Sequence, residues 1–284
     1  MIIDMHVHPF CKEVSWDDLN KIADAMWSSD SFRRKYMYKM LKNVSEQVSI
    51  DNYITLMDEL GINKSVIVSF NVKTAYDIIL VTNDDIANLV KMHPKRLIGF
   101  AGIDVPAPGA IDQLDYAITS LNLKGVKIVP PVQKFNISDR QYDPIWKKMI
   151  DLNIPLWTHG GHQVSTVGSI AEYGHPMLID KVAMRNRDLT IIIGHMGTPW
   201  FWDTYSVVLR HPNVYVDISA HPHLYSYFPW EAYIKDKIEH KVLFASDHPL
   251  VHWKQILPAV RNLPILQGFK ERILSENAKK LLKI

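Results

Sequence analysis

Residues 189–197 read Leu-Thr-Ile-Ile-Ile-Gly-His-Met-Gly, an apolar run that ends on a glycine and a histidine. A half-exposed strand alternates apolar with polar side chains, whereas a strand covered on both faces has no reason to alternate. Ile191-Ile192-Ile193 therefore predicts a parallel strand buried on both sides. Working outward, short runs of the same kind recur at 2–7, 65–70, 97–103, 125–129, 154–158, 214–218 and 242–245, which makes eight. Stretches of helical periodicity separate them, at 51–60, 84–92, 109–121, 144–152, 176–187, 199–210 and 230–239. Two more, 256–262 and 269–282, follow the last run. Such alternation argues for a parallel sheet with right-handed crossovers. Eight repeats favour closure, and a chain of 284 residues suits the roughly 250 that a (β/α)8 TIM barrel needs. The expectation is one α/β barrel domain over residues 1–284.

One segment breaks the rhythm. Residues 10–50 separate the first strand from its helix and far exceed the usual βα loop. They carry Trp16, Trp27, Phe32, Arg33, Arg34, Lys35, Tyr36 and Tyr38. Leaving the C-terminal end of a strand, they should overhang the active face of a barrel. Two readings stand side by side: a helical lid or substrate wall, and an extra packing or dimer element.

Composition narrows the partners. The formal net charge is +2 with Lys and Arg spread along the chain, which gives no case for nucleic acid or a membrane surface. No stretch reaches the roughly 20 apolar residues of a membrane span, and the first residues show no secretory signal pattern. Cys11 is the single cysteine, so no intrachain disulfide can form, which suits a reducing cytoplasm. The partner expected is a small molecule.

The histidines carry the chemistry. His6 and His8 lie two apart at the end of the first run, and alternation points both the same way. Two imidazoles at a barrel mouth can share one cation, and catalytic zinc sites use about three protein ligands with a position left for water. Alone, a His-X-His pair is as well explained by ordinary surface or core histidines. The fifth run, however, leads into Trp-Thr-His159-Gly-Gly, the sixth into Gly-His195-Met-Gly and the eighth into Ala-Ser-Asp247-His-Pro. Ligand chemistry thus recurs at strand ends, where barrel active sites are built. The glycines beside His159 and His195 read as keeping the rim open to a ligand.

Together these residues resemble the metal-dependent amidohydrolase superfamily, in particular the amidohydrolase-2 branch with its aromatic-acid decarboxylases and lactone hydrolases. The resemblance extends to Ile-Ile-Asp-Met-His6-Val-His8, His93-Pro-Lys-Arg-Leu-Ile-Gly-Phe-Ala, Leu-Lys-Gly-Val-Lys127-Ile, Leu-Phe-Ala-Ser-Asp247-His-Pro and Ile-Leu-Ser-Glu-Asn277-Ala-Lys-Lys-Leu-Leu. It implies that His6, His8, His159 and Asp247 are metal ligands, and that Asp247 and His195 act in catalysis. It also implies one Zn²⁺, with Mn²⁺ or a second metal as alternatives, and a homodimer. A second metal would be held by a carbamylated Lys127 and by His195. The other reading of Lys127 is a barrel lysine paired with a carboxylate. TatD-type deoxyribonucleases also open with a His-X-His pair, but they need a glutamate on the third or fourth strand, and 97–104 and 125–129 contain none.

The remaining candidates are substrate-binding. His162 follows His159 in a glycine-rich loop, His221 and His223 follow the seventh run, and His248 and His252 follow the eighth. Arg33 could clamp a carboxylate, for which a guanidinium is suited; a solvated basic helix face is the alternative. His93, His175 and His211 precede prolines at helix boundaries and read as structural. The function expected is a hydrolase using metal-activated water on a small, carboxylated substrate such as an amide or lactone. The alternatives are a non-oxidative decarboxylase of an aromatic or unsaturated acid, and a non-catalytic metal- or ligand-binding barrel.

Overall fold

A computed structural model describes residues 1–27, 31–163 and 165–284 of the chain. Its strands are, in chain order, β1 (Ile3–Val7), β2 (Lys64–Val68), β3 (Phe70–Val72), β4 (Ile78–Val81), β5 (Leu97–Gly102), β6 (Val126–Ile128), β7 (Leu156–Thr158), β8 (Ile191–Ile193), β9 (Val214–Asp217) and β10 (Val242–Leu243). Eight of these form one parallel sheet in the order β1-β2-β5-β6-β7-β8-β9-β10. Beyond β10 the chain continues alongside β1. The N–H of Met5 donates to Phe244 O at 3.0 Å, that of Asp247 to His6 O at 2.9 Å and that of His8 to His248 O at 2.7 Å. A parallel bridge between Val7 and His248 completes the seam. The seam therefore closes the barrel at the level of His6, His8 and Asp247.

The burial of β8 explains its composition. Ile191, Ile192 and Ile193 are all fully buried, and successive side chains enter different cores. Ile192 joins the barrel interior with Ile3, Met5, Val66, Val68, Phe100, Trp157, Leu243 and Ala245. Its two neighbours join the larger layer between sheet and helices, with Ile67, Val126, Ile128 and Val216. Burying each such side chain contributes roughly 1.5–3 kcal/mol, so both faces of the strand favour the same fold. The last helix, Asn277–Leu282, lays Ala278, Leu281 and Leu282 on the interior cluster.

β1 departs from regular geometry. Ile3 pairs with Lys64 and Asp4 with Ser65, but Val7 pairs with Ile67, so the register slips between Asp4 and Val7. Such a bulge re-aims side chains at a barrel rim. It lets Met5 pack in the interior while His6, its neighbour, also lies against the interior Trp157 at 4.3 Å between rings.

Residues 10–50 contain two helices, Leu19–Trp27 and Ser31–Gln47, before the helix Ile50–Leu60 begins at the Ser49 N-cap. Residues 28–30 of that segment lie outside the described residues. Two expectations need correction. The run 65–70 does not continue as one strand; β2 ends at Val68, and β3 and β4 form a separate antiparallel hairpin. Its second strand, Ile78-Ile79-Leu80-Val81, is a four-residue apolar run, too short to stand out between longer elements. The helices expected at 109–121 and 269–282 each contain a π turn, Tyr116–Ser120 and Arg272–Glu276.

Candidate metal centre

Six side chains from five strand ends meet at one rim. His6 and His8 come from β1, Lys127 from β6, His159 from the end of β7, His195 from the end of β8 and Asp247 from beyond β10. His6 Nδ1 and His8 Nε2 lie 3.5 and 3.3 Å from Asp247 Oδ1. Among the described residues, donor atoms of His6, His195 and Asp247 all lie within 4.8 Å of one another. His159 stacks obliquely beside His195, with ring centroids 4.5 Å apart. The geometry thus draws His195 closer to His6 and Asp247 than the ligand set implied by the resemblance did.

The electrostatics suit a cation. Burial holds His6 and His159 well below the ordinary imidazole pKa, and neighbouring positive charges on Lys127 and His195 add to the effect. His8 is lowered to about 4, again by burial first and Lys127 second. These rings are neutral at pH 7 and carry free lone pairs, the form that binds metal. Burial alone would raise Asp247. The hydrogen bond from His8 and the charges of His195, His8 and Lys127 outweigh it and hold the carboxyl below its ordinary value. His6 Nδ1, His8 Nδ1 and His159 Nε2 are buried without a hydrogen-bond partner. Orphaned buried nitrogens are costly unless something fills the gap, so the donor set fits a divalent cation.

His195 owes its pose to its surroundings. It sits in the left-handed region at φ 56°, followed by Met196 at φ 57°. Its Nδ1–H points at the carbonyl and hydroxyl oxygens of Ser219, which leaves Nε2 as the free nitrogen. Its backbone N–H donates to Asp217 Oδ1 at 2.9 Å. Lys127 is buried, and its Nζ lies 2.7 Å from His6 Nε2 and 3.2 Å from His8 Nε2, over the faces of Trp157 and Phe70. Its hydrogen bonds reach imidazoles, and among the described residues no carboxylate pairs directly with it. Burial lowers its pKa to about 7.

The cavity above these groups measures about 530 Å³ with its open mouth. Met26, Trp27 and Leu41 of the first insertion, Phe70 and Leu80 of the hairpin, Phe10 and Leu250 wall it. Residues of the first insertion thus line the cavity. His162, His221 and Arg33 are exposed and do not line this cavity. His221 stacks on His223 instead, and the N–H of His162 is turned to Thr198 O. His248 is buried face-on against Trp253, 4.0 Å away, and does not face the mouth. His175 and His252 cap helix N-termini, while His93 pairs with Asp51 and His211 with Asp180.

The glycines need a different explanation from the one expected. A Cβ on Gly194 would lie 2.2 Å from the Trp157 ring, and one on Gly160 would lie 2.3 Å from Ile193. Packing against the barrel demands glycine there, rather than the approach of a ligand. Asp4 and Asp217 are absent from the expected set, although both are fully buried and bonded to the ligand-bearing loops. Each is a charged residue inside an apolar strand run, and that is the signal that could have found them.

The barrel and its imidazole–carboxylate rim define the class as a metal-dependent TIM-barrel enzyme site. A family model described as Amidohydrolase (Amidohydro_2) matches residues 3–284, and the chain belongs to that family of metal-dependent hydrolases and carboxy-lyases. Solved structures agree in fold. An uncharacterised TIM-barrel protein from Bordetella bronchiseptica superposes with a TM-score of 0.78 at 24% identity, covering 99% of this chain and 98% of that one. A dihydroxybenzoic acid decarboxylase from Polaromonas sp. JS666, with bound manganese and the inhibitor 2-nitroresorcinol, gives 0.72 at 16% identity over 99% and 96%. A probable 2-pyrone-4,6-dicarboxylic acid hydrolase from Acinetobacter baumannii, with citric acid bound, gives 0.66 at 14% over 100% and 99%.

Proposed function

We propose that this chain is a single-cation hydrolase acting on a small organic substrate, with His6, His8, His159 and Asp247 as ligands and His195 beside them. The observation that carries this reading is the gathering of the neutral His6, His8 and His159 rings and one ionised carboxylate around a walled cavity. The nitrogen-rich donor set suits Zn²⁺, and Mn²⁺, which the Polaromonas decarboxylase holds, is the second candidate. When bound, the cation would supply Lewis acidity and lower the pKa of water toward 7.

The chain's own groups do the rest. Asp247 accepts a proton at Oδ1 from the attacking water and passes it to the leaving nitrogen or oxygen. His195 has its Nδ1–H engaged at Ser219, so its Nε2 is the nitrogen presented to the substrate. Met26, Trp27 and Leu41 exclude bulk water, which strengthens each of these interactions. The insertion thus acts as a lid, and residues 1–284 work as one domain.

A second reading, non-oxidative decarboxylation, is supported by the walls. Phe10, Trp27 and Phe70 line the cavity, and among the described residues no guanidinium does. The apolar walls above the polar floor disfavour a free carboxylate and favour departure of neutral CO₂. The deciding experiment incubates Zn²⁺- or Mn²⁺-loaded protein with a panel of lactones, amides and aromatic acids, following acid release and CO₂ separately. Turnover of a lactone or amide without CO₂ supports hydrolysis. CO₂ from an aromatic acid establishes the lyase, and no turnover by either metal form leaves a binding protein. A cytoplasmic location and a homodimer complete the proposal. No helix among the described residues is long and apolar enough to cross a membrane.

A further inference from the structure

Two buried carboxylates outside the ligand set have the same surroundings. Asp4 Oδ1 accepts the N–H of His6 at 3.1 Å and of Ser246 at 3.0 Å, while its Oδ2 accepts Ser246 Oγ–H and Trp253 Nε1–H. Asp217 Oδ1 accepts the N–H of His195 at 2.9 Å, the N–H of Ser219 at 3.0 Å and Ser219 Oγ–H at 2.5 Å, while Oδ2 accepts Trp157 Nε1–H at 2.5 Å. Each therefore receives one indole, one serine hydroxyl and two backbone amides. All four partners are donors, so only a group that accepts at both oxygens satisfies the site.

Three of the four amides they hold belong to places that shape the centre: His6, His195, and Ser246 immediately before Asp247. All three backbones are irregular there. His6 lies in the β1 bulge, and His195 and Asp247 sit at φ 56° and 64°, where a side chain other than glycine is strained. In a regular strand His6 would share the face of Asp4, which turns away from the interior toward Ser246 and Trp253. The bulge brings His6 inward, and the Asp4 carboxylate satisfies the N–H of His6 within it. Asp217 does the same for the left-handed turn that presents His195. His6, His195 and Asp247 also form, among the described residues, a trio whose donor atoms lie within 4.8 Å of one another.

We propose that Asp4 and Asp217 are positioning residues that set the cation-binding geometry through the backbones of His6, Asp247 and His195. This role rests on the metal reading above. The role needs no contact with the cation, and it explains why charged residues occupy the interior of two apolar strand runs.

The test uses Co²⁺ as probe. Affinity is measured by chelator competition, coordination by the visible ligand-field bands, and folding by far-UV circular dichroism and melting. Asp4→Asn and Asp217→Asn put an amide N–H₂ against donors without changing side-chain size. They should weaken Co²⁺ binding about 10- to 100-fold and alter the bands. Asp180→Asn, at the buried pair with His211 away from the centre, should lower the melting temperature and leave both readouts alone. Folded Asp4→Asn and Asp217→Asn proteins with unchanged bands and affinity within about twofold of the parent overturn the proposal. Should either variant fail to fold, Ser246→Ala decides for Asp4 by removing one donor and Asp217→Glu for Asp217 by displacing the acceptor: shifted bands support the role, and unshifted bands overturn it. Equal Co²⁺ binding by the parent and by His6→Ala is a separate result, which defeats the metal reading and with it this role.

Discussion

Lys127 Nζ stands 2.7 Å from His6 Nε2, so a buried amine occupies the place where a cation bound through that nitrogen would sit. Lysine and metal cannot both hold this lone pair. The arrangement allows three outcomes: the lysine gives way to a single ion, it keeps this nitrogen while a single ion binds through the unpartnered His6 Nδ1, or it is carbamylated and bridges two.

The single-ion outcome is expected. Protein loaded with Zn²⁺ in bicarbonate buffer should hold about one equivalent, and Lys127→Met should hold the same while turnover falls by at least about tenfold. Metal analysis by plasma mass spectrometry checks this. A second equivalent that disappears with the lysine establishes the bridged arrangement instead.

Ligand loss should be directly visible. His6→Ala and His159→Ala should each lower bound metal well below the parent, because a catalytic site has few ligands to spare. Chelation should stop turnover, with Zn²⁺ or Mn²⁺ restoring it. Unchanged metal content in both variants contradicts the ligand assignment.

Asp247→Asn keeps the shape of the side chain but removes the proton acceptor. Turnover should fall by about 10²- to 10⁴-fold with the circular dichroism spectrum unchanged. A rate near that of the parent removes Asp247 from the chemistry.

The wall contributed by the insertion makes a specificity prediction. Trp27 is buried and lines the cavity beside Met26 and Leu41. Trp27→Ala should raise activity on bulkier members of a substrate series relative to the smallest one. An unchanged ratio across the series shows that the wall does not limit size.

Cys11 tests the packing beneath the same segment. Its thiol is fully buried and is pushed up to about 12, by burial first and by neighbouring Glu13 second. Near pH 8 the thiolate fraction is then about 10⁻⁴, against about 10⁻¹ for an ordinary thiol near 9, so a thiol reagent should label native protein far more slowly than unfolded protein. Comparable rates show that this region opens readily.

Much of the architecture was legible in the chain itself because parallel strands buried on two faces leave continuous apolar runs. Ile191-Ile192-Ile193 feeds two cores at once, and no alternating pattern can do that. The β3–β4 hairpin was not legible, because its strands are three and four residues long and lie within one loop. The glycines were legible as special but misread: Gly194 answers to Trp157, a residue 37 positions away by its number, and no local pattern records that contact.

By itself the sequence determined the strand–helix alternation, and it placed histidines and an aspartate at the ends of strands, since both follow from local order along the chain. Only the tertiary structure decided how they meet. Closure at Val7 and His248 brings residues 6 and 247 together, a bulge turns His6 inward, and two buried carboxylates hold the irregular backbones in place. These are contacts between distant strands, and they depend on register and packing, which composition and spacing do not encode.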